Sequence, residues 1–253
     1  MNYYALLRLP GCIGSIDCVH VGWDCCPAEC RSNATGKEGY LSLSFEVIVS
    51  HMRRILTVSS GDWGSWQDKT IVTYDEAVQK IRSDPKYKNF IWRTWSKDGS
   101  VAVVHKGVYL ICHGGYLDWK VLVPPYKHQV EGRPEHRWSK WLESLRKDVE
   151  CSFGSLKKRF TSLKSKSRYH DSETLEAVFA CYCIVHNMNH HFDKLDEVDH
   201  DPMELQDCLN FQNTESASEI EAFDQELHTR RQALIDHFTY SRDILGKDFE
   251  THR

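Results

Sequence analysis

The sequence predicts an α/β fold in which a mixed β-sheet is flanked by helices. Short apolar runs with the spacing of buried strands occupy the first half of the chain, and two long stretches with a helical period follow them. An acidic segment without periodicity comes next, and then a further helical pattern. We therefore expect a domain over residues 1–192, a disordered acidic linker over 193–218 and a helical segment over 219–253.

Length and composition limit the class of protein. The chain has 253 residues, of which 41% are hydrophobic, so it can bury a sizeable core. We find no secretory signal and no apolar stretch of membrane-spanning length, and we expect no membrane partner. The ten cysteines are therefore interpreted as reduced thiols of an intracellular protein.

Charge is distributed unevenly along the chain. Residues 146–168 carry eight Lys or Arg against two acids, a net charge of +6, whereas residues 193–226 carry twelve acids against one Lys, a net charge of −11. Because a clustered basic stretch attracts polyanions, this pattern favours a polyanionic partner for the first region and a masking or flexible role for the second.

The first strand is predicted over Gly11–Val21, where apolar residues alternate with small ones. Asp17 lies in the middle of it, and a buried carboxylate is costly unless it is paired, bound to metal or satisfied by backbone donors. The next strands are predicted over Tyr40–Ser50 and Ile55–Ser59, as a hairpin beside the first strand. A helix is predicted over Thr73–Ile81, and an irregular aromatic region follows it, with a hairpin turn at 97–100 and its tryptophans expected to pack the inserted hairpin.

A further buried strand is predicted over Gly107–Cys112, and it ends at His113. Functional sites of α/β folds lie where the strands of the sheet end. His113 and the two glycines after it are therefore candidates for a site.

A long helix follows, with apolar residues in steps of three and four from Leu142 to Leu163. Glu150 lies beside this stripe, at the expected edge of the core, and the basic residues Lys157, Lys158 and Arg159 follow two turns later. One interpretation is a core helix with a solvated charged face. The other is a metal-binding carboxylate beside a phosphate-binding surface.

The second long helix is predicted over Asp171–His191, with Val185 and Met188 on its inward face. His186 and His190 are four residues apart and could share a face as metal ligands do, but packing with an exposed His-rich helix end is the favoured interpretation because no third ligand is identifiable. A structural zinc site is an alternative interpretation for two groups of residues, Cys25/Cys26/Cys30 and Cys181/Cys183/His186.

Five segments, taken in order, resemble the catalytic domain of PIF/Harbinger-type transposases, the DDE superfamily endonucleases, and in particular their plant transposon protein branch. The segments are GCIGSIDCVHV, GSWQD, YLICHGGYLDW, ESLRKDVECSFGSLKKRF and ACYCIVHNM. The resemblance covers residues 11–192. It implies an RNase H-like core, in which acids from non-adjacent elements meet at one edge of the sheet.

The resemblance implies an enzyme that hydrolyses or transfers DNA phosphodiesters with two Mg²⁺ or Mn²⁺ ions held by three acids. Asp17 matches the first acid and Glu150 the last, but His113 stands where the second acid is normally an Asp. Lys157, Lys158 and Arg159 would contact DNA. Because Mg²⁺ prefers oxygen ligands, we expect His113 to weaken Mg²⁺ binding and impair cleavage, with partial rescue by Mn²⁺.

The sequence departs from the family in two further respects. Gln67-Asp68 stands where the family has a His-Asp pair, and the chain begins 16 residues before Asp17, where family members carry a helical DNA-binding region. Sequence-specific DNA binding is therefore expected either to be lost or to be supplied by a separate DNA-binding partner protein, and the resemblance implies a nuclear location. Two alternatives to a nuclease are a non-catalytic DNA- or protein-binding module and a zinc-stabilised structural protein.

Overall fold

The computed structural model describes residues 3–195 and 227–245, which form a mixed β-sheet flanked by helices as predicted. The strands are β1 (Cys12–Gly22), β2 (Ser42–Val49), β3 (Ile55–Val58), β4 (Asp62–Trp63), β5 (Ile91–Trp95), β6 (Ala102–Lys106), β7 (Tyr109–Ile111) and β8 (Leu122–Val123). The helices are α1 (Tyr3–Leu6), α2 (Arg31–Ala34), α3 (Asp68–Tyr74), α4 (Glu76–Ser83), α5 (Pro85–Lys88), α6 (Pro134–Arg159), α7 (Ser172–Phe192) and α8 (Leu227–Leu245).

The main sheet has six strands in the order β3-β2-β1-β7-β8, with β4 paired to β2. β1 is antiparallel to β2, with Asp17 opposite Val47, and this confirms the predicted hairpin beside the Asp17 strand. β7 runs parallel to β1, and β8 runs parallel to β7. Asp17 therefore lies on a central strand whose neighbour is the short strand that leads to His113.

The helices cover both faces of the sheet. α6 packs on one face, where Val149 and Leu156 join a core with Val19 and Phe45. α3 and α4 cover the opposite face, and their buried residues join Ile16. Because successive side chains of a strand point to opposite faces, the alternation along β1 supplies both layers.

The helix predicted over 73–81 is divided in the structure. α3 ends at Tyr74 and α4 begins at Glu76, because the Asp75 carboxylate accepts a 2.6 Å hydrogen bond from the Val78 N–H and caps a new helix. The region after it contains α5 and the β5–β6 hairpin, which turns at 97–100 as predicted.

α7 begins after its Asp171 cap as predicted, but two of its residues were assigned to the wrong face. Met188 is 64% exposed and Val185 is 40% exposed, whereas His186 and His190 are 1% and 5% exposed. The His186 ring approaches the Arg53 carbonyl, and its centroid lies 5.9 Å from that of the His190 ring. His186 can be buried because the Arg53 carbonyl offers its ring a hydrogen-bonding partner.

The C-terminal helix α8 docks on the domain. Leu234, Ile235 and Phe238 are buried in a cluster that also contains Trp92 and Trp138. The fully buried Arg230 donates hydrogen bonds to the carbonyls of Lys106 and Lys120. The linker predicted over 193–218 lies outside the described residues from 196 onwards, as do 219–226 and 246–253 of the predicted helical segment.

Two expectations about the class of protein concern membranes and cysteines. Within the described ranges, no helix combines the length and apolarity needed to cross a membrane. The nine cysteines of those ranges are all free thiols.

Candidate active site

The candidate site lies where β1 passes the end of β7 and the middle of α6. The Asp17 side chain is 16% exposed, and its Oδ1 accepts a 2.9 Å hydrogen bond from the Cys18 N–H. Its Oδ2 lies 3.2 Å from a guanidinium nitrogen of Arg146. The carboxylate in the strand is therefore both paired and hydrogen-bonded to the backbone, which makes its burial tolerable.

His113 lies between two carboxylates. Its Nε2 is 3.1 Å from Asp68 Oδ2 and 3.6 Å from Asp17 Oδ1. Its Nδ1 accepts a 2.9 Å hydrogen bond from the Gly115 N–H. Since Nδ1 is an acceptor, this hydrogen-bond pattern assigns the ring proton to Nε2, which points it at the carboxylates.

Asp68 is a site residue that the sequence analysis noted only as a departure from the family pattern. It is the first residue of α3, and the hydrogen bond from His113 lowers the pKa of its carboxyl group. Its position in the sequence could have indicated this role, because an acid at the first residue of a helix that follows the hairpin can lie at the edge of the sheet.

Arg146 is the second site residue that the sequence analysis missed. Its guanidinium is 10% exposed and links Asp17 to Glu150, whose Oε1 is 2.8 Å away, and to Glu143, whose Oε2 is 3.2 Å away. Glu143 and Glu150 lie three residues before and four residues after Arg146, so all three side chains share one face of α6. Arg146 therefore lies among the acids of the site. The basic surface for a polyanion had been expected further along the helix, at Lys157, Lys158 and Arg159.

Glu150 reaches the site from a more exposed position than predicted. Its side chain is 50% exposed, because it extends along the helix surface towards Arg146. The acid at the edge of the core is instead Asp148, which is 7% exposed and lies 2.7 Å from His51 Nδ1. The apolar stripe placed α6 correctly, but it did not distinguish these two acids.

Burial and neighbouring charges shift the pKa values of Asp17 and Arg146 in opposite directions. Burial raises the pKa of Asp17, and this effect outweighs His113, the Cys18 N–H and Arg146, which all lower it. Burial alone lowers the pKa of Arg146, but Glu143, Asp17 and Glu150 together raise it above its ordinary value. Arg146 therefore stays charged and holds the carboxylates together.

A second group of acids lies on the opposite face of the sheet, behind the site. Glu46 pairs with Cys18 across the strands and is 1% exposed, and burial raises the pKa of its carboxyl group to about 9. Burial also raises the pKa of Asp62, to about 6. Glu46 is therefore a neutral carboxylic acid at pH 7.

The basic residues predicted to contact DNA lie at the far end of α6, two turns beyond Glu150. Arg159 already has partners, because its guanidinium lies 3.3 Å from the His186 carbonyl and 3.4 Å from Asp193 Oδ2. Lys158 is exposed and Lys157 is half-buried. The structure thus does not bring these three residues together with Asp17 and His113.

The fit of a divalent ion to this site can be judged from its donors. Over residues 3–195 and 227–245, no group of three His, Cys, Asp or Glu side chains is arranged to hold a metal, the predicted zinc groups included. His113 presents an N–H, not a lone pair, to Asp17, and the Arg146 guanidinium bridges Asp17 and Glu150. In this arrangement the residues do not fit Mg²⁺, which needs oxygen ligands with free lone pairs.

Comparison with known proteins gives a family and distant relatives. The family model described as "Plant transposon protein" matches residues 4–194. The chain is 24% identical over 243 residues to the human protein named "Putative nuclease HARBI1", and 26% identical over 192 residues to the rat protein of that name. It covers 62% of the human and 48% of the rat protein, so it spans about half to three fifths of their length. No solved structure matches it.

Proposed function

Because the chain belongs to the plant transposon protein family, we propose that it is a transposase-derived, nuclease-type domain that binds DNA and whose metal-dependent cleavage is impaired. The family match covers residues 4–194 and confirms the resemblance in the sequence. The strand order supports an RNase H-like core, because three antiparallel strands are followed by two parallel strands beside the first of them. Asp17 lies on the strand shared by both parts.

The observation that carries this proposal is the state of His113. At the position of the second acid, an aspartate would add a negative charge and two oxygen lone-pair donors. The imidazole adds neither, and its N–H is 3.1 Å from Asp68, to which it donates. A site that relies on three acids to neutralise two divalent ions is thus left with a charge deficit and one fewer oxygen ligand.

The remaining charges determine what the site can still do. The site holds four carboxylates and one guanidinium: Asp17, Glu143 and Glu150 pair with Arg146, and Asp68 pairs with His113. This excess of negative charge attracts cations weakly and repels a phosphodiester. DNA binding must therefore come from basic residues beside the site, and Lys157 and Lys158 are proposed as phosphate contacts at its far side.

A second candidate function is a working nuclease in which Asp68 replaces the missing acid. It is favoured by the short distance between Asp68 Oδ2 and His113 Nε2, since turning the imidazole away would leave Asp17 and Asp68 on the same edge of the sheet. In that case Asp68→Asn should abolish cleavage by the wild-type chain. If cleavage is impaired as proposed, wild-type activity is already too low for this substitution to matter.

Nicking of supercoiled plasmid DNA in Mg²⁺ and in Mn²⁺ tests the proposed function. We expect His113→Asp to nick at least tenfold faster than the wild-type chain, and Glu150→Gln in the same background to remove the gain. His170→Asp, at an exposed position, is the matched control. Wild-type nicking as fast as that of His113→Asp would contradict the impairment. Absence of nicking by His113→Asp would contradict the assignment of this edge as a metal site.

A nuclear location and a separate DNA-binding partner protein are proposed from the family resemblance alone. Imaging of the tagged chain in cells tests the location, and cytoplasmic signal alone would contradict it. Co-purification from nuclear extract, followed by assay of the partner for DNA binding, tests the second proposal.

A further inference from the structure

A groove with a basic lining opens directly beside the candidate site. It encloses about 590 Å³ between the chain that connects β8 to α6 and the first turns of α6. Its lining includes Lys127 from the connection and Lys140 and Lys147 from the helix. We refer to it as the lysine groove.

The three lysines converge because of local geometry. Lys140 and Lys147 are seven residues apart, which is close to two helical turns, so they lie on one face of α6. Lys127 approaches from the other wall, where its side chain packs against Gly114 so closely that a Cβ at that position would lie 2.5 Å from Lys127 Cε. A glycine at 114 therefore permits the lysine to lie beside the strand end.

The ammonium groups of the lysine groove are available to a ligand. All three lysines are exposed. Among the residues that the structure describes, none of the three side chains has an ion pair or a hydrogen bond. Arg159, which was expected to contact DNA, differs in this respect because it binds the His186 carbonyl and Asp193.

The lysine groove is continuous with the site. Gly114 lines the groove and directly follows His113, and Glu143 lines it while pairing with Arg146 at 3.2 Å. A chain of phosphates lying in the groove would therefore end at the edge of the sheet that carries Asp17. The lining carries three ammonium groups against the single carboxylate of Glu143, so positive charge dominates it.

We propose that the lysine groove binds the phosphate backbone of a DNA strand and directs it to the Asp17–His113 edge. This inference rests on the proposed function and names the surface that supplies its DNA affinity. Phosphate contacts by lysine are independent of sequence, release bound counterions and weaken as salt is added. The groove is thus expected to give affinity and register, not base specificity.

Anisotropy of a fluorescein-labelled DNA duplex in EDTA tests the inference across a series of KCl concentrations. The variant carries Lys127→Gln, Lys140→Gln and Lys147→Gln. The matched control carries Lys80→Gln, Lys86→Gln and Lys88→Gln on α4 and α5, where the same charge is removed from exposed positions. We expect the groove variant to lose at least tenfold in affinity and its log–log salt slope to fall by about 2 to 3, and the control to change little.

Two results would overturn the inference: equal affinity and slope for the groove variant and the control, or no DNA binding by the wild-type chain. Protection of lysines from acetylation by bound DNA, read by mass spectrometry on the wild-type chain, avoids any effect of substitution on folding. We expect protection of Lys127, Lys140 and Lys147 and none of Lys80. Because binding is measured without metal, its failure is distinguishable from a failure of the cleavage assay.

Discussion

Replacement of Glu46 by Gln should stabilise the protein at neutral pH, although it removes an ionisable side chain from the buried strand β2. Glu46 is 1% exposed, and burial, together with repulsion from Asp75, raises the pKa of its carboxyl group to about 9 from an ordinary value of 4.5. The Tyr116 hydroxyl opposes this shift only in part, because neither carboxyl oxygen has a hydrogen bond of standard geometry within the described residues.

The sign and size of this change in the free energy of unfolding follow from the different proton affinities of Glu46 in the folded and unfolded states. Above pH 4.5 the unfolded chain releases the Glu46 proton while the folded protein keeps it, so the free energy of unfolding falls as the pH rises towards 9. The loss at pH 7 is on the order of 3 kcal/mol, at about 1.4 kcal/mol per pH unit. Glutamine has the same shape and no proton to lose, so Glu46→Gln should avoid this loss.

Urea unfolding of both chains between pH 5 and pH 8 measures the effect. The advantage of Glu46→Gln should grow by about 1.4 kcal/mol per pH unit. Glu131→Gln, at an exposed loop position, should show no such trend. If the difference between Glu46→Gln and wild type is constant with pH, Glu46 does not hold its proton in the folded state and the reasoning is wrong.

Four further predictions concern stability and binding. Arg146→Gln should lower the free energy of unfolding, measured in urea, by about 3–5 kcal/mol, because it leaves the buried Asp17 carboxylate without its Arg partner. Adding Asp17→Asn should recover part of this loss. If the effects of the two substitutions are additive, the pairing is contradicted. Arg230→Met should release α8, and limited proteolysis should then cleave near it faster than in wild type; unchanged cleavage would contradict the docking through the Lys106 and Lys120 carbonyls. Asp148→Asn should cost about 1–3 kcal/mol through its contact with His51, and equal stability in urea would refute that role. Lys157→Gln with Lys158→Gln should weaken DNA binding in the anisotropy assay, but less than the lysine-groove variant, and an equal or greater loss would move the main DNA contact to the end of α6.

The strands could be predicted from the sequence because alternation and apolar runs report burial directly. The Asp17 strand, its hairpin and the strand before His113 all occur where the pattern placed them. The helix break at Asp75 was missed because it depends on one carboxylate capping the next turn, which the apolar spacing does not record.

The site could be predicted only in part, because its pairs join residues far apart in the chain. Asp17 and Arg146 are separated by 129 residues, so no local pattern indicates that they meet. Asp68 was missed for the same reason. The inward face of α7 was assigned wrongly at Met188 because hydrophobicity ranks it above His186, whereas the backbone carbonyl of Arg53 makes burial of that histidine possible.

The measurement that tests the central claim most directly is Mn²⁺ binding by calorimetry to the wild-type chain, His113→Asp and the control His170→Asp. If His113 is what disables the metal centre, His113→Asp should bind Mn²⁺ at least tenfold more tightly than wild type, and the control should match wild type. Equal, tight binding by wild type and His113→Asp would show that the imidazole is an adequate ligand and would contradict the account.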